Sequence, residues 1–280
     1  MLTRAALMML ATMPLLALQQ QPAPPLASRI GTYVERYYDR TQRILVEETV
    51  VMQPLRNDLS PEGFSRQVVY ETRLEWNPAA EEPASVRREV LRARGPALGP
   101  PGQPDCYDNK GISPEPLAFL LPARQEKMRF RPAGPGRVGE RPALQLDYRP
   151  LKEERAKVEW NEHCGKVDLS GRTQGRVWAD PETGAVLKLR EWLIGPEDFR
   201  GPTTGRTRNT GPLWFTAERS ETTTEYREVR FAEPDETILL PWRVDSVSVI
   251  VRSGLPRLRV TQTYANYRRF LTDSRIILPE

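Results

Sequence analysis

Residues 171–195, GRTQGRVWADPETGAVLKLREWLIG, carry two runs of β-favouring side chains on either side of Asp180-Pro181-Glu182-Thr183-Gly184. Proline presets φ at about −65° early in a turn, and glycine supplies the positive φ that brings the chain back. Trp178 before the turn and Val186, Leu187 and Leu189 after it suit a pleated, half-buried surface. The stretch predicts a hairpin, central to a large antiparallel sheet.

Other segments extend that sheet. Residues 65–76, SRQVVYETRLEW, alternate: Val68, Tyr70, Thr72, Leu74 and Trp76 share one face, and Gln67, Glu71, Arg73 and Glu75 share the other. Residues 45–53 read as the first strand, and 85–94 as a partner of 65–76. Near the C-terminus, 219–231, 238–251 and 257–267 are joined by connections short enough for sequential antiparallel neighbours. Val247 to Val251 is apolar on both faces, so a covering element is needed there. The N-terminal helix is the candidate cover. That helix is read over residues 28–43, where Ile30, Tyr33, Val34, Tyr37 and Tyr38 fall at i, i+3, i+4 spacing behind a Ser28 cap. Such a stripe packs on a sheet more often than on a membrane surface.

Between these parts the pattern weakens. Residues 127–131 and 143–149 read as short strands separated by a loop, PAGPGRVGERP, and 95–104 reads as a loop for the same glycine and proline content. Residues 113–122, SPEPLAFLLP, form a short apolar helical segment, either a lid over a cavity or, more commonly, a plug of the core. Residues 195–212 show no period and read as a long loop of the functional or disordered kind. The expected class is mainly β with few helices: a large curved antiparallel sheet, or half-barrel, with an N-terminal helix packed on it.

Residues 1–18 have a basic start at Arg4 followed by an uncharged apolar run too short for a comfortable span, the form of a secretory signal. A polar, proline-rich segment follows. The expected division is a signal over 1–20, a linker over 21–27 and one domain over 28–280, with a periplasmic or secreted location and no membrane span once the signal is removed. In an oxidising compartment Cys106 and Cys164 favour a disulfide, which closes a loop long enough to contribute about 3–5 kcal/mol. His163, the one histidine, adjoins Cys164, but zinc sites show paired ligand spacings that this chain lacks, so no metal is expected.

Net charge is +4, from 41 basic and 37 acidic side chains interspersed along the chain. Nucleic-acid binders concentrate their excess in a patch or stripe, so nucleic acid is not an expected partner. No GxSxG, GxxxxGK[ST] or GxGxxG motif is present, which leaves no cofactor to expect. The carboxylate pairs 47–48, 81–82 and 153–154 are chain neighbours, and neighbours on a strand face opposite ways. Enzymatic chemistry is not expected.

The turn 177–184, VWADPETG, the early YVERYYDRTQRILVEE (33–48) and the late TYANYRRF (263–270) resemble lipoprotein-carrier-like (LolA/RseB-type) envelope proteins and uncharacterised secreted bacterial proteins of that shape. The resemblance implies an unclosed barrel with helices in its mouth, and lipid or lipoprotein as partner. On that reading Tyr70, Trp76, Trp178 and Trp192 line a concavity that shelters an apolar ligand. Two readings stand beside it. The same aromatic residues fill a solid core, and the protein is an interaction or sensor module of the envelope that binds through strand edges or the 195–212 loop. Less favoured is a hydrolase with dispersed carboxylates.

Overall fold

The computed structural model describes residues 25–41, 44–76, 84–98, 116–160, 165–201, 213–232, 234–252 and 257–269. Helix α1 (Pro25–Thr41) leads into β1 (Ile44–Leu55), β2 (Arg66–Trp76) and β3 (Ala84–Arg94). A 3₁₀ turn, Ala118–Leu120, and α2 (Pro122–Gln125) precede β4 (Met128–Val138) and β5 (Arg141–Pro150). A small hairpin of β6 (Lys157–Trp160) and β7 (Gly165–Asp168) comes next, then β8 (Thr173–Ala179), β9 (Val186–Leu193) and β10 (Glu197–Arg200). Three long strands complete the described part: β11 (Trp214–Ala232), β12 (Asp235–Val251) and β13 (Arg257–Arg269).

Ten strands form one antiparallel sheet in the order β3-β2-β1-β13-β12-β11-β9-β8-β5-β4, with β10 beside the start of β11. The outermost strands, β3 and β4, do not pair with each other, so the sheet is an unclosed barrel. Its alternation is regular. Along β1, Ile44, Val46, Glu48, Val50 and Met52 are buried and the residues between them are half-buried. The hairpin of β8 and β9 forms as read, but it lies toward the β4 edge, and β11 and β12 hold the centre.

The turn between β8 and β9 shows why its residues are needed. The Asp180 carboxylate accepts from the Glu182 and Thr183 N–H groups and the Thr183 hydroxyl at 2.9–3.0 Å. Gly184 closes the turn at φ +73°, and a Cβ there would stand 2.9 Å from the Arg29 carbonyl of α1. The Arg29 guanidinium in turn donates to Pro181 O at 2.9 Å. The turn is therefore also the seat of the helix.

Helix α1 starts at Pro25, three residues before Ser28, because proline's missing N–H is no loss in a first turn. Leu26, Ile30, Val34, Tyr37 and Tyr38 are buried along one stripe and join Leu146, Val177, Leu189 and Tyr226 of the sheet in the main core. Each such aliphatic side chain contributes about 1.5–3 kcal/mol. Leu117, Leu120 and Leu121 enter the same core, so the apolar segment before β4 is a plug. Gln125 Nε2 fastens it by donating to Ala27 O and Leu120 O at 2.8 and 2.7 Å.

Three expectations are corrected. The proline-rich stretch 132–142 is not a loop: β4 runs through it and pairs with β5 from Met128↔Pro150 to Val138↔Arg141. Its prolines are tolerated because β4 is an edge strand, and Gly134, at φ +91°, takes up the register shift beside Pro132. The cover over the end of β12 is not α1. Ile250 packs with Val158, Trp160, Val167 and Leu169, so the β6–β7 hairpin covers that end while α1 covers the other. Finally, the long loop after β9 contains β10, paired from Glu197↔Ala217 to Arg200↔Trp214; residues 202–212 lie outside the described part.

Candidate functional site

The inner face, the one α1 packs on, is defined by register. One continuous row reads Leu146, Val177, Leu189, Thr224, Val244, Gln262, Val50 and Val68 across eight strands. The next row toward the β6–β7 hairpin reads Tyr148, Gly175, Glu191, Thr222, Ser246, Val260, Met52 and Arg66. The flanks are apolar and the middle is polar. Both ends are occupied, one by α1 and the plug and the other by β6 and β7.

An apolar cleft remains between the last turns of α1 and strands β1, β2, β12 and β13. Tyr37, Ile44, Val46, Leu240, Tyr264 and Tyr267 provide most of its lining, and its volume is about 50 Å³. Thr72 and Pro241 also reach it, and the Tyr267 hydroxyl donates to Pro241 O.

Glu48 is fully buried beside this cleft. Its carboxylate accepts from Arg88 Nε and Nη2 at 2.6 and 3.1 Å, from Thr72 Oγ1 at 2.8 Å and from Gln262 Nε2. Burial works to lower the Arg88 pKa, but the bond and charge of Glu48 outweigh it and hold the guanidinium above its ordinary range. Burial, then the Glu48 charge, pushes the Tyr264 hydroxyl well above its usual value. The other Gln262 atom, Oε1, is buried with no hydrogen-bond partner among the described residues.

A second carboxylate faces inward four strands away. Glu191 accepts from the Tyr148 hydroxyl at 2.7 Å. Burial lifts its pKa from 4.5 to about 7, and the tyrosine bond offsets only part of that. Tyr148 is itself pushed up, by burial and then by Glu191, and Phe119 of the plug lies on it with ring centroids 4.2 Å apart. Gly175 makes the room: a Cβ there would meet the Tyr148 hydroxyl at 2.7 Å and Arg190 O at 2.4 Å.

Of the four aromatic residues named from the sequence, the three whose side chains are described, Tyr70, Trp178 and Trp192, do not share one face. Tyr70 is buried on the inner face, in the cluster of Val50, Met52, Val68, Leu258 and Val260. Trp178 and Trp192 face the other way, opposite Lys188 and Gln174 respectively. Lys188 Nζ lies 5.7 Å from the Trp178 ring and the Arg190 guanidinium 5.7 Å from the Trp192 ring. The side chain of Trp76, like Cys106, His163 and Cys164, lies outside the described part. The sequence shows Glu48 only as a chain neighbour of Glu47, and Glu191 carries no motif. The available signal was phase: Glu48 falls in step with Val46 and Val50, and Glu191 with Leu187 and Leu189. Among the described residues no group of three His, Cys, Asp or Glu side chains could hold a metal ion, and no helix is long and apolar enough to cross a membrane.

With this geometry in view, solved structures of similar form can be placed beside it. A LolA superfamily protein, NE2245 from Nitrosomonas europaea, matches at 12% identity over 88% of this chain and 95% of its own, with a TM-score of 0.39. A DUF1329 family protein from Desulfovibrio piger matches at 9% identity over 88% and 91%, with a TM-score of 0.40. A chain of the MucA/MucB complex of Pseudomonas aeruginosa matches at 13% identity over 86% and 99%, with a TM-score of 0.24. The likeness is one of overall form. No known family's sequence profile matches the chain, and no curated protein does.

Proposed function

We propose that this is an exported, non-catalytic binding protein of the cell envelope that takes an apolar chain, such as an acyl tail, at the cleft beneath the end of α1. The observation that supports this is the cleft itself, an aromatic and aliphatic opening on the inner face of an unclosed sheet. Its 50 Å³ accommodates only the tip of a chain, since ligand sites span about 300–1,000 Å³. Deeper insertion requires α1 to move. Its polar ties include two exposed ones, Arg40 to Glu236 and Arg29 to Pro181 O, of a kind worth about 1 kcal/mol or less, and one buried bond, from Gln125 Nε2 to Ala27 O. A non-catalytic role is supported by the two inward carboxylates, which stand four strands apart, each already engaged, instead of as an acid/base pair. The test is native mass spectrometry of protein recovered from the envelope, with displacement of a fluorescent fatty acid as the solution assay. Bound acyl mass, lost when Leu240→Trp fills the cleft, supports the reading. A ligand-free protein that displaces nothing refutes it.

The filled inner face favours a second reading, an interaction module that binds through its surface. Edge strand β3 has one side unpaired among the described residues and exposes Val90 and Leu91. A photo-crosslinker at position 90 that captures one envelope protein, in a chain that carries no lipid, favours this reading over the first.

A further inference from the structure

The end of the sheet remote from α1 has a composition of its own. Helix α1 lies over the turns at 180–184 and 232–236, through Arg29 and Arg40. At the opposite end lie the start of β11, the last residues of β12 and β3, the first of β13, and the loop 56–65. Phe64 on that loop is 82% exposed and Trp214 is 40% exposed, and Leu151 projects from the same end after β5. Phe64, Trp214 and Leu151 are three of the five large apolar side chains exposed among the described residues, and all three lie at this one end.

Charge at this end is equally uneven. Arg56, Arg94, Arg252 and Arg257 lie along it, and among the described residues none is within ion-pair distance of a carboxylate, although the charge of Arg56 acts on Asp58 of the same loop. Elsewhere many guanidiniums are matched, as in Arg176 with Asp147, Arg230 with Asp235 and Arg243 with Asp245, while others, such as Arg29 and Arg227, bond among the described residues only to backbone carbonyls. The loop's own carboxylates are Asp58 and Glu62. Asp58 is engaged as a brace, accepting from the Ser60 N–H and hydroxyl at 3.0 and 2.6 Å. On the outer surface of the same corner, Arg92 and Arg94 with Gln67 line a notch of about 130 Å³, two guanidiniums and an amide facing one small volume. At the far side of the rim the Arg200 guanidinium sits 5.5 Å from the Trp214 ring centroid.

We propose that this rim docks on an anionic phospholipid surface, with Phe64 and Trp214 entering the interfacial layer while Arg56, Arg94, Arg252 and Arg257 meet headgroup phosphates. Separated aromatic residues on strand ends and a loop, spread over six adjacent strands or about 24 Å, match a broad planar partner. Aromatic rings with arginines beside them suit the water–hydrocarbon boundary, and basic residues add attraction to anionic lipid. This docking is independent of what the cleft beneath α1 takes.

The test is co-sedimentation of the whole chain with phosphatidylglycerol-containing vesicles and with pure phosphatidylcholine vesicles, at low and high salt. Wild type and variants share residues 1–24, so differences between them report on the rim. Wild type partitions onto the anionic vesicles, less so in high salt, and only weakly onto neutral ones. The double variant Phe64→Ser/Trp214→Ser binds at least about tenfold more weakly. Each of Arg56→Gln and Arg257→Gln weakens binding about fivefold. These side chains are exposed or half-exposed, so melting temperatures stay within a few degrees of wild type; should a variant fail to fold, the salt and lipid series on wild type still decides. Equal partition onto neutral vesicles, insensitivity to salt, or variants that bind like wild type overturn the proposal. So does competition by polyglutamate that leaves the aromatic variants unaffected, which would point to an acidic protein.

Discussion

Replacing Glu191 with glutamine will remove a pH dependence of stability that the wild-type chain shows between pH 5 and 8. Glu191 lies on the inner face under Tyr148, and burial raises its pKa from 4.5 to about 7. In that interval the folded protein keeps a proton that the unfolded chain has released. Its contribution is therefore greatest below the unfolded value and is lost progressively as pH rises toward 7, at about 1.4 kcal/mol per unit. Over the shifted range the loss is at most about 3 kcal/mol, and partial exposure of the residue reduces it. For a chain of this size that is at most roughly 6 °C in melting temperature. The carboxylates held below their ordinary values, among them Asp180, Glu236 and Asp245, titrate in more acid solution. Thermal melts by circular dichroism at pH 5, 6, 7 and 8, for wild type and Glu191→Gln, measure the effect. Wild type should lose stability toward pH 8 while the variant stays level, so the variant is the more stable at the alkaline end. Parallel lines for the two proteins would show that Glu191 is solvated and that the inner face is open to water at Tyr148.

Other perturbations have equally definite outcomes. Arg88→Leu strands the buried Glu48 carboxylate and should destabilise the fold by about 3–5 kcal/mol in urea unfolding, while adding Glu48→Leu recovers most of the loss. Gly184→Ala forces a side chain to φ +73° and against the Arg29 carbonyl; a loss of about 1–2 kcal/mol is expected, with faster proteolysis within 25–41. Ile30→Ala empties the middle of the α1 stripe and should lose about 2–5 kcal/mol, the larger part if the helix stays docked over the cavity.

Much of this fold is a local property of the chain. The alternation of 65–76 and the stripe of α1 each specify an element, because a strand repeats every two residues and a helix every 3.6. The turn 180–184 is equally self-sufficient: Asp180 braces it and Gly184 closes it with bonds internal to five residues. Parity along β8 and β9 even separates Trp178 from Val177 and Trp192 from Leu189.

What parity cannot say is which phase faces inward, and there the tertiary structure decided. Register across eight strands turned Val177 and Leu189 toward α1 and left Trp178 and Trp192 among cations outside. The same applies to 132–142, where prolines read as a break became an edge strand because β4 has a free side on which no amide is needed. Glu48 and Arg88, 40 residues apart, meet only when β1, β2 and β3 lie side by side, and Glu191 meets Tyr148 only when β5, β8 and β9 do, where burial raises its pKa. Short-range sterics and hydrogen bonds choose elements, whereas burial and ion pairing are settled by whichever distant segments are folded against them.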